Sequence, residues 1–447
     1  MMKILFRFIF NPSYRSQKAL GQTPNENFFW KNIKKQFAHN KLGIYSLRFL
    51  YILIFIAFFS DFLANEKPLA CKFNGEIYFP VFRSYAVDFG IAQWQKDLVN
   101  ADWKNISYDW KIFPLIPYSP QNMDAENVHS VSPFGKQIIP SLKFRHWLGT
   151  DELGRDILSG MIHGTRIALT VGLVAMGIAA LFGILIGSLA GYFGDERLKI
   201  SRASIFCGII FLILGFFLGF ISRSYELGDA LSDSFGKFFL QVLFSFFIMI
   251  ASVCIGYFFA MPFKFIPVLR KKISLPVDIL FSRFIEVMVS IPTLFLIISI
   301  SAVITHPSIY IVMTIIGLTS WTGIARFIRA EMLRIRSLEY IEAAHALGYP
   351  EWRVIFRHAI PNALSPVLIT IAFGIAAAIL IESTLSFLGV GVSAETVTWG
   401  SMLAEARQSP SAWWLAIIPG CAIFITVTIF NLIGEALTDA LDPKQKK

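Results

Sequence analysis

Apolar residues gather along this chain in long blocks rather than at strand-scale periods. Eight blocks stand out, at about 44–64, 166–192, 203–221, 238–261, 279–304, 309–328, 363–388 and 414–433. An α-helix needs about 20 predominantly apolar residues to cross the hydrocarbon of a bilayer, and each block approaches or exceeds that. The pattern predicts an all-α polytopic membrane protein with eight spans. The composition agrees, at 55% apolar and 16% charged residues with a mean hydropathy of +0.60.

The polar stretches between blocks set an orientation. Residues 1–43 hold eight Lys or Arg against one acid, Glu26, a bias that keeps the N-terminus in the cytoplasm. The first block lies too deep, behind too long a basic leader, for a cleaved signal, and reads as a retained helix. Arg326, Arg329, Arg334 and Arg336 mark another cytoplasmic face, as do Lys264 to Lys272 and the tail lysines Lys444, Lys446 and Lys447. The slightly acidic stretch 222–237 and residues 389–411 then lie outside. Span parity and charge bias agree, with both ends inside. The net charge of +10 is spread over span ends, so it implies a lipid membrane rather than a nucleic-acid partner.

Residues 65–160 differ in kind, being aromatic, proline-rich and mixed in charge. They predict a small extracytoplasmic cap of mixed or β character, with strands at Ile77 to Phe79 and Val81 to Asp88 and an extended path from Trp103 to Pro120. The cap contacts a solute-binding protein or substrate, or serves as a structural lid. The expected organisation is a cytoplasmic segment 1–43, a first transmembrane helix 44–64, the cap 65–160 and a transmembrane domain 161–443. The blocks at 203–221 and 238–261 form a pair within that domain, at about 203–261.

Local features refine the spans. Gly183, Gly187 and Gly191 are four apart, on one helix face that a neighbouring helix can approach closely. Pro292 removes a backbone donor and bends the span at 279–304, either as a gate or as a static kink. Glu286, near Arg283, and Glu382 are costly in lipid and must face protein or water. Trp399, Trp413 and Trp414 suit an interfacial aromatic belt.

Between two spans, residues 331–361 are polar. Glu331 to Leu347 are good helix formers, and Gly348 stands where a helix stops in a left-handed turn. Pro350 opens a second helix, Glu351 places an acid in its first turn, and Pro361 ends it. The predicted elbow carries a small flat surface at Ala343 and Ala344. It is either a docking lever or a helix pair lying on the lipid surface.

Catalytic and metal chemistry find little support. The run His146 to Asp156 holds a clustered acid group, but Thr150 or Asp151 suits a helix cap, and no second histidine stands at ligand spacing. Cys207, Cys254 and Cys421 lie in spans and Cys71 stands alone, so no disulfide framework is implied. The echo of a lipidation site at Leu69-Ala70-Cys71 and the sequon at Asn105 are read as chance. The chain lacks a G-x-x-x-x-G-K-[ST] loop, so it is expected to be no enzyme, with no cofactor and no metal site. Energy then comes from a partner or an ion gradient.

The elbow residues also carry a resemblance. Glu342, Ala343, Ala344, Gly348, His358 and Pro361 fall on the coupling motif of ATP-binding-cassette (ABC) importer permeases, with Ile360 where the family often has leucine. G-T-D-x-x-G-R-D at 149–156 and A-L-x-D-A-L-D-P at 436–443 resemble further signatures of the dipeptide, oligopeptide and nickel permeases. The pair at 203–261 departs from that pattern. Residues 66–69, 75–85 and 283–298 resemble the Yej-type branch, whose known substrates include peptides and the peptide-nucleotide microcin C. The resemblance implies a type I ABC importer permease core of six transmembrane helices plus the inserted pair. It implies a separate ABC ATPase docking on the loop 331–361 and a second permease subunit forming a heterodimer. It also implies an extracytoplasmic solute-binding protein and a peptide substrate. Alternatives are a nickel or other small-solute ABC permease, an ion-coupled secondary transporter using Glu286 and Glu382, and a membrane enzyme using Asp151, Glu152 and Asp156.

Overall fold

The computed structural model describes residues 35–441, except 74, 96–97, 99–101, 105, 234, 304–307 and 392–395. Most of the basic leader, the sequon Asn105 and the tail lysines lie outside the described residues. The chain begins with α1 (Lys41–Phe58), capped by Asn40, whose side chain accepts from the Gly43 N–H at 3.0 Å.

The cap follows. A small antiparallel sheet has the order β2-β1-β3, with β1 (Ala70–Phe73) between β2 (Glu76–Tyr78) and β3 (Trp110–Ile112). Cys71 stands opposite Tyr78 on one side and Lys111 on the other. Val81 to Asp88, expected as a strand, is instead part of α2 (Pro80–Asp88). The Val, Phe and Tyr content suits a strand, but Pro80 starts a helix without losing a backbone bond. Long-range bonds then hold it: Lys67 donates to Ser84 at 3.0 Å, and the Tyr85 hydroxyl donates to Asp61.

The central rod is α3 (Ile157–Phe193), 37 residues. After it the chain forms β4 (Lys199–Ser201), α4 (Arg202–Phe216) with a wider helical turn at Phe217–Ile221, α5 (Ser224–Asp233) and α6 (Phe235–Phe263), and returns on β5 (Lys272–Ser274). β4 and β5 pair antiparallel, Lys199 opposite Ser274 and Ser201 opposite Lys272. This ladder closes the inserted pair at its base, so the chain rejoins the core beside the point where it left. The pair packs on itself through glycines. A Cβ at Gly219 would come 2.7 Å from the Ser245 carbonyl, and one at Gly256 would press on the Phe211 ring. The stretch 222–237, expected as a loop, contains α5.

The core resumes with α7 (Val277–Ser290) and α8 (Thr293–Val303), bent by 76° at the break between them. The sequence predicts one bent span here; the structure breaks it into two helices. Pro292 offers no N–H to the turn before it, and Ile291 leaves helical geometry with ψ at 123°. Then come α9 (Ile309–Ile335), α10 (Glu339–Ala346), α11 (Ser365–Phe387), α12 (Trp399–Ala406) and α13 (Trp413–Leu441). Among the described residues seven helices are long and apolar enough to cross a bilayer, and α7 with α8 makes eight if counted as one span.

The glycine face of α3 packs against α9 as the spacing predicts. A Cβ at Gly183 would lie 2.7 Å from the Ile324 side chain, and one at Gly187 would lie 2.5 Å from the Ala325 carbonyl. From the other side, a Cβ at Gly317 would lie 2.8 Å from the Ala175 carbonyl. The main core fills the space between α3, α9, α11 and α13 with Ala179, Ile324, Ile328, Met332, Ile379 and Leu415, all fully buried. The tryptophans expected at the lipid interface divide. Trp413 is exposed, whereas Trp399 and Trp414 are buried and donate their indole N–H groups to the Met161 and Thr150 carbonyls at 3.1 Å each. They join α12 and α13 to the start of α3.

Candidate functional site: the elbow between α9 and α11

α9 ends at Ile335, and after three intervening residues α10 begins with Glu339 and Glu342 in its first turn, where acids suit the helix dipole. Gly348 closes α10. Its φ is +77°, its N–H donates to the His345 carbonyl at 2.9 Å, and the Tyr349 N–H donates to the Ala344 carbonyl at 3.2 Å. This crossed pair of bonds satisfies the last carbonyls of the helix and requires the left-handed turn that glycine takes without strain. Pro350 then caps a new helical start at Glu351.

Beyond the bend, the second limb differs from expectation. It passes through a widened turn, Val354–Ala359, and Pro361 lies inside a continuing short helix, Ile360–Ala363, rather than ending it. The widened turn accommodates the proline, whose ring and missing N–H disrupt an ordinary α-helical ladder. His358 is half-buried, its ring stacked on Tyr349 at 6.1 Å with only 5° between planes. Burial pushes the His358 pKa below its ordinary value, and Arg357 and Arg353 push it the same way.

One face of the elbow is welded to the core. Ile341, Ala344, Val354, Ile355, Ala359 and Ala363 are buried with Met332 and Ile335. The expected flat surface at Ala343 and Ala344 is therefore corrected: Ala343 is exposed with Glu342, but Ala344 is 5% exposed and faces inward. The outer face instead carries large apolar groups. Leu347 is 71% exposed, Trp352 63% and Phe356 54%, with Arg353 and Arg357 between them.

The link to α3 is a residue that sequence reasoning passed over. Tyr192, fully buried at the end of α3, donates its hydroxyl to the Glu351 carboxylate and lies 3.0 Å from His345 Nε2. It thereby holds both limbs of the elbow. Gly191 beside it lets α3 reach the Arg329 carbonyl. Arg329 in turn forms a two-pronged pair with Asp278 at the start of α7.

At the opposite end of α3, the acids of residues 146–156 form a structural knot. Asp156, not Thr150 or Asp151, caps α3, accepting from the Ser159 N–H at 2.6 Å. His146 is fully buried between two carboxylates, Nδ1 at 2.8 Å from Asp156 and Nε2 at 3.1 Å from Asp124. Burial alone would raise the Asp124 pKa, but hydrogen bonds from His146 and Asn127 bring it below the ordinary carboxylate value. The Thr150 hydroxyl donates to the Asn127 carbonyl at 2.8 Å. Asp151 accepts from the Leu153 and Arg155 N–H groups at 2.9 and 2.7 Å, and the Arg155 guanidinium joins Asp151 to Glu405 on α12. These partners occupy the acids in the fold. Glu152 meets His129 and Ser409 at the surface. Among the described residues, no group of three or more His, Cys, Asp or Glu is arranged to hold a metal ion.

The two intramembrane acids part company. Glu382 on α11 is buried and accepts from the Ser386 hydroxyl at 2.7 Å. Glu286 on α7 is exposed and pairs with Arg283 at 2.7 Å.

Residues 252–447 match the family described as binding-protein-dependent transport system inner membrane component. Residues 29–78 match the N-terminal TM domain of oligopeptide transport permease C. The peptidoglycan transport system permease protein YejE of Agrobacterium fabrum is 27% identical over 95% of this chain and 94% of its own length. The inner membrane ABC transporter permease protein YejE of Escherichia coli is 28% identical over 92% and 96%. The dipeptide transport system permease protein DppC of Alkalihalophilus pseudofirmus is 29% identical over 67% and 73%. With its bundle of long apolar helices and its bent loop between α9 and α11, the chain resembles the binding-protein-dependent ABC transport permeases, multi-pass components of the inner membrane.

Proposed function

We propose that this chain is the peptide-translocating permease of an ABC importer, driven through the elbow by a separate ATPase subunit. Both termini and the elbow lie in the cytoplasm, and the cap faces outward toward a solute-binding protein. A second, different permease subunit completes the pathway. The substrate class follows the peptide and dipeptide transport named in the relatives.

The elbow's construction supports this most directly. A lever needs a rigid bend, a firm attachment to the moving helices and a sticky outer face. The crossed bonds at Gly348 supply the bend, and Tyr192 supplies the attachment to α3. Leu347, Trp352 and Phe356 supply apolar anchors that a partner groove can bury, with Glu342 and the arginines as polar rim. Closure of two ATPase sites would then draw two elbows together and tilt α3 and α9 as one unit.

Two variants test it. Trp352→Asp changes only the outer face and is expected to weaken ATPase co-purification about 30-fold, the loss of one aromatic anchor worth roughly 2 kcal/mol. Gly348→Pro fixes φ near −65°, removes the donor to His345 and is expected to abolish peptide uptake while the subunit stays inserted. Normal import by both variants with an intact ATPase would remove the elbow from the mechanism.

A further inference from the structure

The knot at the cap end and the elbow use most charged groups of the core, but one ion pair in an apolar span has no role in either. Arg283 and Glu286 lie one turn apart on α7, 74% and 60% exposed. At 1.5 Å per residue they sit roughly 9–14 Å along the helix from Val277, within the apolar stretch that α7 and α8 form together. Lipid is a costly neighbour for either ion, and intramembrane charges face protein or water. The chain's own core does not cover them. α7 turns Val277 and Ile285 inward, and Phe284 stacks on Trp321 at 5.8 Å. The exposed stripe Ile279, Arg283, Glu286 and Ser290 runs directly to the break before α8. Broken backbone at membrane depth is tolerated where it is buried in protein or lines a water-filled path. On the adjacent face of α7 a cavity of ≈ 320 Å³ is lined by Leu275, Val277, Leu280, Phe281 and Phe284.

We propose that Arg283 and Glu286 line the translocation path and form a station for zwitterionic peptides. Arg283 takes the terminal carboxylate, Glu286 takes the terminal ammonium, and the apolar cavity beside them takes a side chain. The peptide replaces one internal charge-assisted pair with two external ones of the same kind, so binding is real but shallow. Shallow binding suits a path that must also release its cargo. This inference rests on the peptide-import reading.

The experiment uses the assembled transporter in proteoliposomes, with trialanine as the probe. Arg283→Gln and Glu286→Gln are each expected to lower ATP-driven uptake roughly tenfold, the loss of one charge-assisted hydrogen bond in a partly wet site. Subunit co-purification is expected to stay unchanged. In parallel, Glu286→Cys is placed in a chain whose four native cysteines are serine, and a charged, water-soluble thiol reagent is added. The reagent is expected to label Cys at this position, and trialanine to slow the labelling. Absence of labelling would overturn the proposal, and loss of co-purification with it would assign the pair to the permease–permease interface. Labelling that trialanine does not slow would overturn it as well. A wild-type transporter that imports another solute but not trialanine would instead refute peptide import itself, and the station with it.

Discussion

Arg155 lies between Asp151 and Glu405, and only two of these three charges balance. Burial raises the Glu405 pKa to about 7, Asp151 adds to the rise and Arg155 opposes it. A carboxyl whose folded-state pKa lies above its ordinary 4.5 contributes fully below about pH 4.5, and the contribution is lost as pH rises through 7. Glu405→Gln stays neutral throughout. Its unfolding free energy relative to wild type is therefore expected to improve by on the order of 2 kcal/mol between pH 5 and pH 8, in detergent-solubilised protein. A difference that stays flat over that window would contradict the assignment. The bend at Gly348 was legible in the sequence, because a glycine directly after a run of helix formers and two residues before a proline marks a helix stop by local spacing alone. Tyr192, Asp124 and Glu405 were not. Their partners lie 159, 22 and 250 residues away, and no periodicity connects such pairs. Ala344 faces inward where a flat exposed surface is expected, since spacing alone does not say which side of a short helix meets the core.

The helices themselves follow the hydropathy closely, because in lipid each span must satisfy its backbone internally and remain apolar over its length. The glycine seam of α3 is an element-scale consequence with its own control. Gly187→Leu would drive a side chain into the Ala325 backbone carbonyl, whereas a Cβ at Gly177 on the same helix meets nothing within 4 Å. Gly187→Leu is expected to cost about 3 kcal/mol or more of stability, measured by thermal unfolding in detergent, and Gly177→Leu under about 0.5 kcal/mol. Equal effects would remove close packing as the reason for the spacing. Three elements escaped the sequence reading. α2 has strand-like side chains and is helical because Pro80 and long-range bonds override them. α5 and α12 are short and lie between spans, where polarity suits a loop as well as a helix. The depth of the break at Pro292 was also underread, since proline predicts a bend but not its angle.

At the scale of the molecule, α3 runs without interruption from the knot at Asp156 to Tyr192 at the elbow. A 37-residue helix is about 55 Å long, enough to cross the whole membrane. In the proposed mechanism, force applied at Trp352 and Leu347 passes through Glu351 and Tyr192 into that rod. It reaches the cap through Asp156 and His146. The inserted pair, closed off by the β4–β5 ladder, leaves this line of force intact. The most direct measurement is tripeptide accumulation in proteoliposomes holding this chain and its second permease, with and without the ATPase subunit and ATP, while a proton gradient is imposed or collapsed. Uphill uptake is expected only with the ATPase and ATP, regardless of the gradient. Uphill uptake without the ATPase subunit would contradict the account.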